Sequence, residues 1–249
     1  MTGRRKGGTG RQLTTRVRTA RRRSASSTRW LQRQLNDPYV AEAARQGFRS
    51  RAAFKLIELD DRFHFLGPGK RVVDLGAAPG GWTQIAVARV QGKKEGRVVA
   101  MDRLAMDPIA GAIVLELDFL DPSAPERLRE ALDGPADIVL SDMAAQASGH
   151  APTDHLRIMA LCEAALDFAE EVLTPGGTFL AKVLQGGTEK ELLQRMKARF
   201  RTVKHAKPPS SRAASAESYV IAMGFKGGGG GRATEPPQDA PEGHGGERS

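Results

Sequence analysis

The stretch Val72-Val73-Asp74-Leu75-Gly76-Ala77-Ala78-Pro79-Gly80-Gly81-Trp82 decides the fold. A short β-branched run reads as a buried strand, and the glycine-rich turn that ends it leads directly into a helical pattern. Open α/β sheets bind ligands at such strand–turn–helix junctions. A dinucleotide fingerprint would place glycines at Gly76, at residue 78 and at Gly81. Residue 78 is alanine, and Pro79 removes a backbone N–H that a pyrophosphate would use. A nucleoside without phosphates suits the turn better.

On both sides of this junction the pattern alternates. Arg71–Leu75, Arg97–Met101, Ile113–Leu117, Ala136–Leu140 and Thr178–Val183 read as strands, and Gly81–Val90, Ser123–Leu132, Thr153–Leu173 and Thr188–Phe200 as helices. Such alternation implies a mostly parallel sheet with helices on both faces. Thr202–Ala206 and Ser218–Phe225 follow with only a polar Pro/Ser loop between them, which suggests that an antiparallel strand pair completes a seven-stranded sheet. Upstream, Asp37-Pro38 reads as an N-cap and first helical residue of a helix to Gln46. Ser50 reads as the cap of a second helix with Phe54, Ile57 and Leu59 on its apolar side and Lys55 on its polar side. Cys162 falls in the apolar stripe of the longest helix and reads as a small core residue.

The 249 residues carry 38 Lys+Arg against 29 Asp+Glu, a formal charge of +9, and 40% are hydrophobic. That is enough for one good core. The excess is local: residues 1–36 hold eleven basic residues and no acid, whereas Asp37 to Lys226 holds 25 of each sign. Residues 1–27 are expected to be a disordered basic arm, since Gly, Thr, Ser and Arg bury too little to offset chain entropy. Its arginines suit contact with nucleic-acid phosphates. Residues 28–226 are expected to form a single domain with N-terminal helices, and 227–249 a flexible Gly/Pro/acidic tail. No run approaches the roughly 20 apolar residues of a membrane span, the N-terminus lacks a secretory pattern, and one cysteine excludes an internal disulfide. A cytoplasmic protein without a membrane partner or a metal site is expected.

Three acids stand at or just past successive strand ends. Asp102 could accept hydrogen bonds from both ribose hydroxyls, Asp118 could take the amino edge of adenine, and Asp142 lies nearer the middle of the sheet. Singly, such residues are more often loop acids or caps. In series behind the Gly-rich turn they describe a pocket for a phosphate-free adenosine, and S-adenosylmethionine is the common cofactor of that description. Trp82 reads as a core aromatic or a wall of this pocket, with the wall slightly favoured. Lys182, inside the apolar run Phe179–Leu184, needs a partner if charged, and Asp142 at the end of the neighbouring strand is the best one. Lys55 and Glu217 taken singly would pass as surface residues.

Ser24–Leu31, Arg49-Ser50-Arg51-Ala52-Ala53-Phe54-Lys55-Leu56, the Asp74–Trp82 turn, Met106-Asp107-Pro108-Ile109, Ser141-Asp142-Met143-Ala144, Ala181-Lys182-Val183, Ser210-Ser211-Arg212-Ala213 and Glu217-Ser218-Tyr219 occur in this order. Together they resemble the FtsJ/RrmJ (RlmE) family of ribosomal RNA large-subunit ribose 2′-O-methyltransferases, from about Ser24 to Lys226. The resemblance implies a Rossmann-like S-adenosylmethionine-dependent methyltransferase fold. It puts a catalytic Lys-Asp-Lys-Glu tetrad on Lys55, Asp142, Lys182 and Glu217, and cofactor contacts on Gly80, Trp82, Asp102, Asp118 and Asp142, beside Gly76 of the turn. The implied substrate is a uridine in the A loop of 23S rRNA, modified on the nearly assembled large subunit by a monomeric enzyme. Two departures stand out: Ala145-Gln146 where relatives often carry Pro-Asn, and Ala53 where they often carry an aromatic residue.

Ribose methylation needs in-line placement of the oxygen and help with its proton. Lys182 is expected to contact the 2′-oxygen, either as a base or as a charged stabiliser of the developing alkoxide. Lys55, the sulfonium and burial push its pKa down and Asp142 pushes it up, so both roles stay open at this level. The competing readings are an RNA-binding assembly factor that no longer methylates, a ribose methyltransferase acting on transfer RNA or a messenger cap, and a dehydrogenase, against which Ala78-Pro79 weighs.

Overall fold

The computed structural model describes residues 15, 19, 24–92, 95–145, 148–184, 190–213 and 215–227. Most of the basic arm, the tail beyond residue 227 and Gln146 lie outside them. Seven strands form one sheet: β1 (Arg71–Leu75), β2 (Arg97–Asp102), β3 (Ala112–Glu116), β4 (Ala136–Ser141), β5 (Leu173–Leu184), β6 (Phe200–Ala206) and β7 (Glu217–Phe225). Their order is β3-β2-β1-β4-β5-β7-β6. β1 to β5 are parallel, whereas β7 lies antiparallel between β5 and β6.

Strand alternation explains the two cores. Val73, Val99, Val139 and Val220 point to one face and Val72, Val98, Ile138 and Ile221 to the other, as period-2 geometry requires. The first face is covered by α5 (Ala124–Leu132), α6 (Ala151–Val172) and α7 (Lys190–Arg199), with Leu128, Leu132, Leu166 and Met196 fully buried. Cys162 is buried there, and desolvation pushes its thiol up to about 12, so it is a packing residue. The second face is covered by α3 (Ala52–Phe63) and α4 (Gly81–Val90) through Leu56, Leu59, Ile85 and Ala86. Burying each such aliphatic side chain contributes about 1.5–3 kcal/mol.

Two shorter helices precede α3. α2 (Pro38–Arg45) starts as its sequence indicates, with Asp37 accepting from the Tyr39 N–H at 3.1 Å and Pro38 in the first turn. α1 (Ala25–Leu35) was not anticipated and begins inside the stretch read as arm, because the Ser24 hydroxyl caps the Ser27 N–H. α3 also corrects the sequence reading at its start and on its face. Arg51, not Ser50, occupies the cap position and makes no side-chain cap bond, while the Ser50 hydroxyl is buried without a partner. The buried residues are Ala53, Lys55, Leu56, Leu59 and Asp60, so the lysine lies on the inner face and Phe54 and Ile57 are only half-buried. Ala53 is a core residue, with no exposed surface on which a base could stack.

The chain moves outward from β1 to β2 and β3, then returns to β4 on the other side of β1. This reversal leaves a crevice beyond the carboxyl ends of β1 and β4. Gly76, after β1, meets Met143, after β4, so closely that a Cβ at Gly76 would lie 2.8 Å from the Met143 backbone; its φ of +76° also favours glycine.

Candidate active site

The crevice opens into a cleft of about 470 Å³ that Gly76, Asp102, Asp118, Leu120, Met143 and Leu161 help to line. Its walls are fixed by local hydrogen bonds. The N–H groups of Gly76 and Ala77 both donate to the Met101 carbonyl, at 2.9 and 3.1 Å. Asp102 accepts from the Ala78 N–H and the Leu104 N–H, both at 2.9 Å, and Asp118 accepts from the Leu120 N–H at 3.0 Å. Each carboxylate is thereby oriented while retaining lone pairs for a ligand. The volume lies in the range of small-molecule sites. Two acids at adjacent strand ends and a Gly-rich turn without a pyrophosphate's donors fit a phosphate-free nucleoside.

Three further residues expected to contact the cofactor, Gly80, Trp82 and Asp142, are held by packing and hydrogen bonds within the fold. Gly80 is the left-handed cap of α4, where a Cβ would lie 2.6 Å from Ile109 Cδ1. The Trp82 ring is core rather than wall: it is 2% exposed, its Nε1 donates to the Ala52 carbonyl at 2.9 Å, and its ring packs 5.6 Å from that of Tyr219. A large aromatic at the second position of α4 is drawn under α3, where its N–H finds a carbonyl. The Asp142 carboxylate, just past the end of β4, is engaged by Lys182 and Tyr219.

There the four residues of the expected tetrad form two ion pairs. Lys182 Nζ lies 2.9 Å from Asp142 Oδ1 and donates to the Asp142 carbonyl at 2.8 Å. Lys55 Nζ lies 2.9 Å from Glu217 Oε2. Four separate elements deliver them: α3, the loop after β4, β5 and β7. Register explains the last two, because Glu217 and Tyr219 are two apart on β7 and share a face, and Tyr219 pairs directly with Lys182 on β5. The Tyr219 hydroxyl donates to Asp142 Oδ1 at 3.0 Å, and Lys55 Nζ lies 5.7 Å from the centre of its ring. The sequence reading quoted Tyr219 without giving it a role; its parity with Glu217 was the signal available.

The charges of this cluster sum to zero, and the pKa directions follow from it. Burial pulls the Lys182 ammonium down, but Asp142 and Glu217 more than offset it and the net direction is upward. Burial alone would raise Glu217, yet Lys55 and Lys182 reverse this and hold it below the usual carboxylate range. Beneath the turn, Asp74 is fully buried, and desolvation pushes it up to about 7 even though the Thr83 hydroxyl donates to it at 2.7 Å. The sequence reading gave Asp74 no role beyond its place in the motif.

Residues 48–225 match the family model of FtsJ-like methyltransferases. The chain belongs to that family. Among its relatives, a protein of Paramagnetospirillum magneticum named ribosomal RNA large subunit methyltransferase E is 66% identical over 223 residues, covering 88% of this chain and 91% of the relative. One of the same name from Parvibaculum lavamentivorans is 61% identical over 245 residues, covering 94% and 95%. A crystal structure from Plasmodium falciparum, provisionally assigned as a ribosomal RNA methyltransferase, is 32% identical with a TM-score of 0.65 and covers 72% of this chain and all of that one. This FtsJ-like methyltransferase thus keeps the family's sheet, and Lys55, Asp142, Lys182 and Glu217 converge within it. Among its described residues no helix is long and apolar enough to cross a membrane.

Proposed function

We propose that this methyltransferase transfers a methyl group to the ribose 2′-hydroxyl of a uridine in large-subunit (23S) ribosomal RNA, acting on the assembled subunit, with S-adenosylmethionine as cofactor. The observation that carries the proposal is the buried Lys182–Asp142 pair beside Lys55–Glu217, at the end of the sheet where the nucleoside-sized cleft opens. Asp102 and Asp118 would hold the ribose and adenine of the cofactor, and the Gly76 turn would pass beneath it. When bound, S-adenosylmethionine supplies an activated methyl group, so the protein's task is to place and polarise the accepting oxygen.

Lys182 does this with its proton in place. Two carboxylates favour the charged ammonium in the ligand-free state, so it orients the 2′-oxygen and stabilises negative charge developing on it. The hydroxyl proton leaves to water as the new C–O bond forms and the sulfonium becomes a neutral thioether. Asp142 and Tyr219 fix the direction of that ammonium. Lys55, held by Glu217, positions the ribose from the opposite side. A protein that only bound RNA would have no use for a buried ammonium so arranged. The large subunit as substrate is supported by the names of relatives that match nearly the whole chain.

The test is to incubate the protein and labelled S-adenosylmethionine with large subunits from cells that lack it, then digest the RNA to nucleosides. Label in 2′-O-methyluridine is expected. Label in a base, in another RNA class, or in nothing would overturn the proposal.

A further inference from the structure

Two grooves outside the cofactor cleft share the same three guanidinium groups. One, of about 300 Å³, is lined by Lys55 and Glu217 together with Arg33, Arg51 and Arg212. The other, of about 500 Å³, runs on past Arg33, Arg51 and Arg212 to Asn36 and Tyr39, between α1–α2 and the loop joining β6 to β7. Asp37 is the one acid among the described residues of the second groove, and it is already spent. It accepts from Arg51 and from Arg212 Nε, the latter at 2.9 Å, while Arg51 also donates to the Ser210 carbonyl. Arg212 Nη2 is buried with no partner, and Arg33 is exposed with no ion pair to any described residue. The floor is therefore braced from within, and three guanidinium groups against one carboxylate leave it net positive.

Resting on the reading that the target is an RNA ribose, we infer that this second groove is a subsite for backbone phosphates of the strand flanking that ribose. A strand whose sugar meets Lys55 must leave the tetrad along some surface, and the shared arginines make this one continuous with it. Planar guanidinium groups match phosphate oxygens, and released counterions supply the affinity.

Thr15 is held at the same place. The Asn36 amide accepts from the Thr15 N–H at 2.7 Å and donates to the Thr15 carbonyl at 3.0 Å, and Gln32 Nε2 donates to that carbonyl at 2.8 Å. Both side chains also line the groove. Thr15 stands in the chain next to Arg16 and three residues before Arg18, so an uncharged contact at the groove holds the residue from which these arginines follow in sequence.

The experiment measures the affinity of the full-length protein for a fluorescein-labelled RNA hairpin as a function of KCl concentration. Arg33→Gln should weaken binding several-fold at physiological salt and reduce the slope of log Kd against log salt by about 0.7, one phosphate contact's worth. Arg33→Lys should restore the slope. Asn36→Ala carries no charge change, yet it should also reduce the slope, because the contact that holds Thr15 beside the groove is lost. S-adenosylhomocysteine affinity should stay at the wild-type value in all three variants, which separates the subsite from a folding defect. Wild-type slope and affinity in Arg33→Gln would overturn the subsite, and a wild-type slope in Asn36→Ala would overturn the arm's share in it. Binding is read without turnover, so either outcome is independent of which nucleoside receives the methyl group.

Discussion

Lys182 and Tyr219 stand directly opposite each other on β5 and β7, and both reach the same oxygen, Oδ1 of Asp142, at 2.9 and 3.0 Å. The carboxylate is thus held between a cation and a neutral donor. Its orientation is over-determined, which is what a group that aims another group requires.

Removing the ammonium should separate chemistry from cofactor binding. Lys182→Ala is expected to lower the rate of methyl transfer at least 100-fold, the usual effect of deleting one charge-stabilising donor. S-adenosylhomocysteine affinity, read by calorimetry, should change less than about threefold because Lys182 does not line the cleft. Near-normal turnover would remove Lys182 from the mechanism.

Tyr219→Phe keeps the ring against Trp82 and deletes only the hydroxyl. Stability should fall by about 1 kcal/mol, the usual worth of one hydrogen bond, in denaturant titration. The rate should fall by less than in Lys182→Ala, since Lys182 still meets Asp142 through both the carboxylate and the carbonyl.

Asp74 predicts a pH dependence with a definite sign. Its folded pKa, about 7, lies above the unfolded value near 4, so between these limits the native state holds a proton that the unfolded chain has released. Stability from this group is present at low pH and declines as pH rises through the window, by at most about 1.4 kcal/mol per unit. Asp74→Asn never ionises and can keep a bond to Thr83. Its melting temperature should exceed the wild-type value at pH 8, and the difference should shrink towards pH 5.

Gly76→Ala tests the cleft itself. A methyl group at that position would meet the Met143 backbone at 2.8 Å on a residue with φ of +76°. The two strand ends would have to part, and S-adenosylhomocysteine binding should weaken at least tenfold in calorimetry while RNA binding is retained.

Asp37→Ala would strip two guanidinium groups of a shared, nearly buried partner. Breaking a buried pair from one side costs about 3–5 kcal/mol, so a large fall in melting temperature is expected. Arg45→Ala, which breaks an exposed pair with Glu42, should leave the melting temperature almost unchanged.

The parts of the structure legible in the sequence are those set by near neighbours. The β1 strand and α4 fall where the change from period 2 to period 3.6 puts them, because turn chemistry between them is local. The β5 strand was read too short, since it starts at Leu173 and continues through Pro175-Gly176-Gly177, residues that normally end a strand. Lys55 shows the limit most clearly: nothing within its own helix explains a buried lysine, because its partner Glu217 is supplied from 162 residues away. Lys182 could be paired with Asp142 because adjacent parallel strands bring their ends together. Trp82 stays open in the sequence, because a polar-tipped aromatic suits a pocket wall or a core equally well until the Ala52 carbonyl is seen beside it.

The place of β7 in the sheet bears on when the enzyme can come into being. During synthesis β5 and β6 emerge before the strand that must slide between them, and Glu217 and Tyr219 arrive with that strand. A nascent chain stalled between Ala206 and Glu217 would carry every residue that lines the 470 Å³ cleft and both neighbours of the missing strand, but neither Glu217 nor Tyr219. Competence is therefore gained in one late step, by insertion of the final strand, rather than accumulated along the chain.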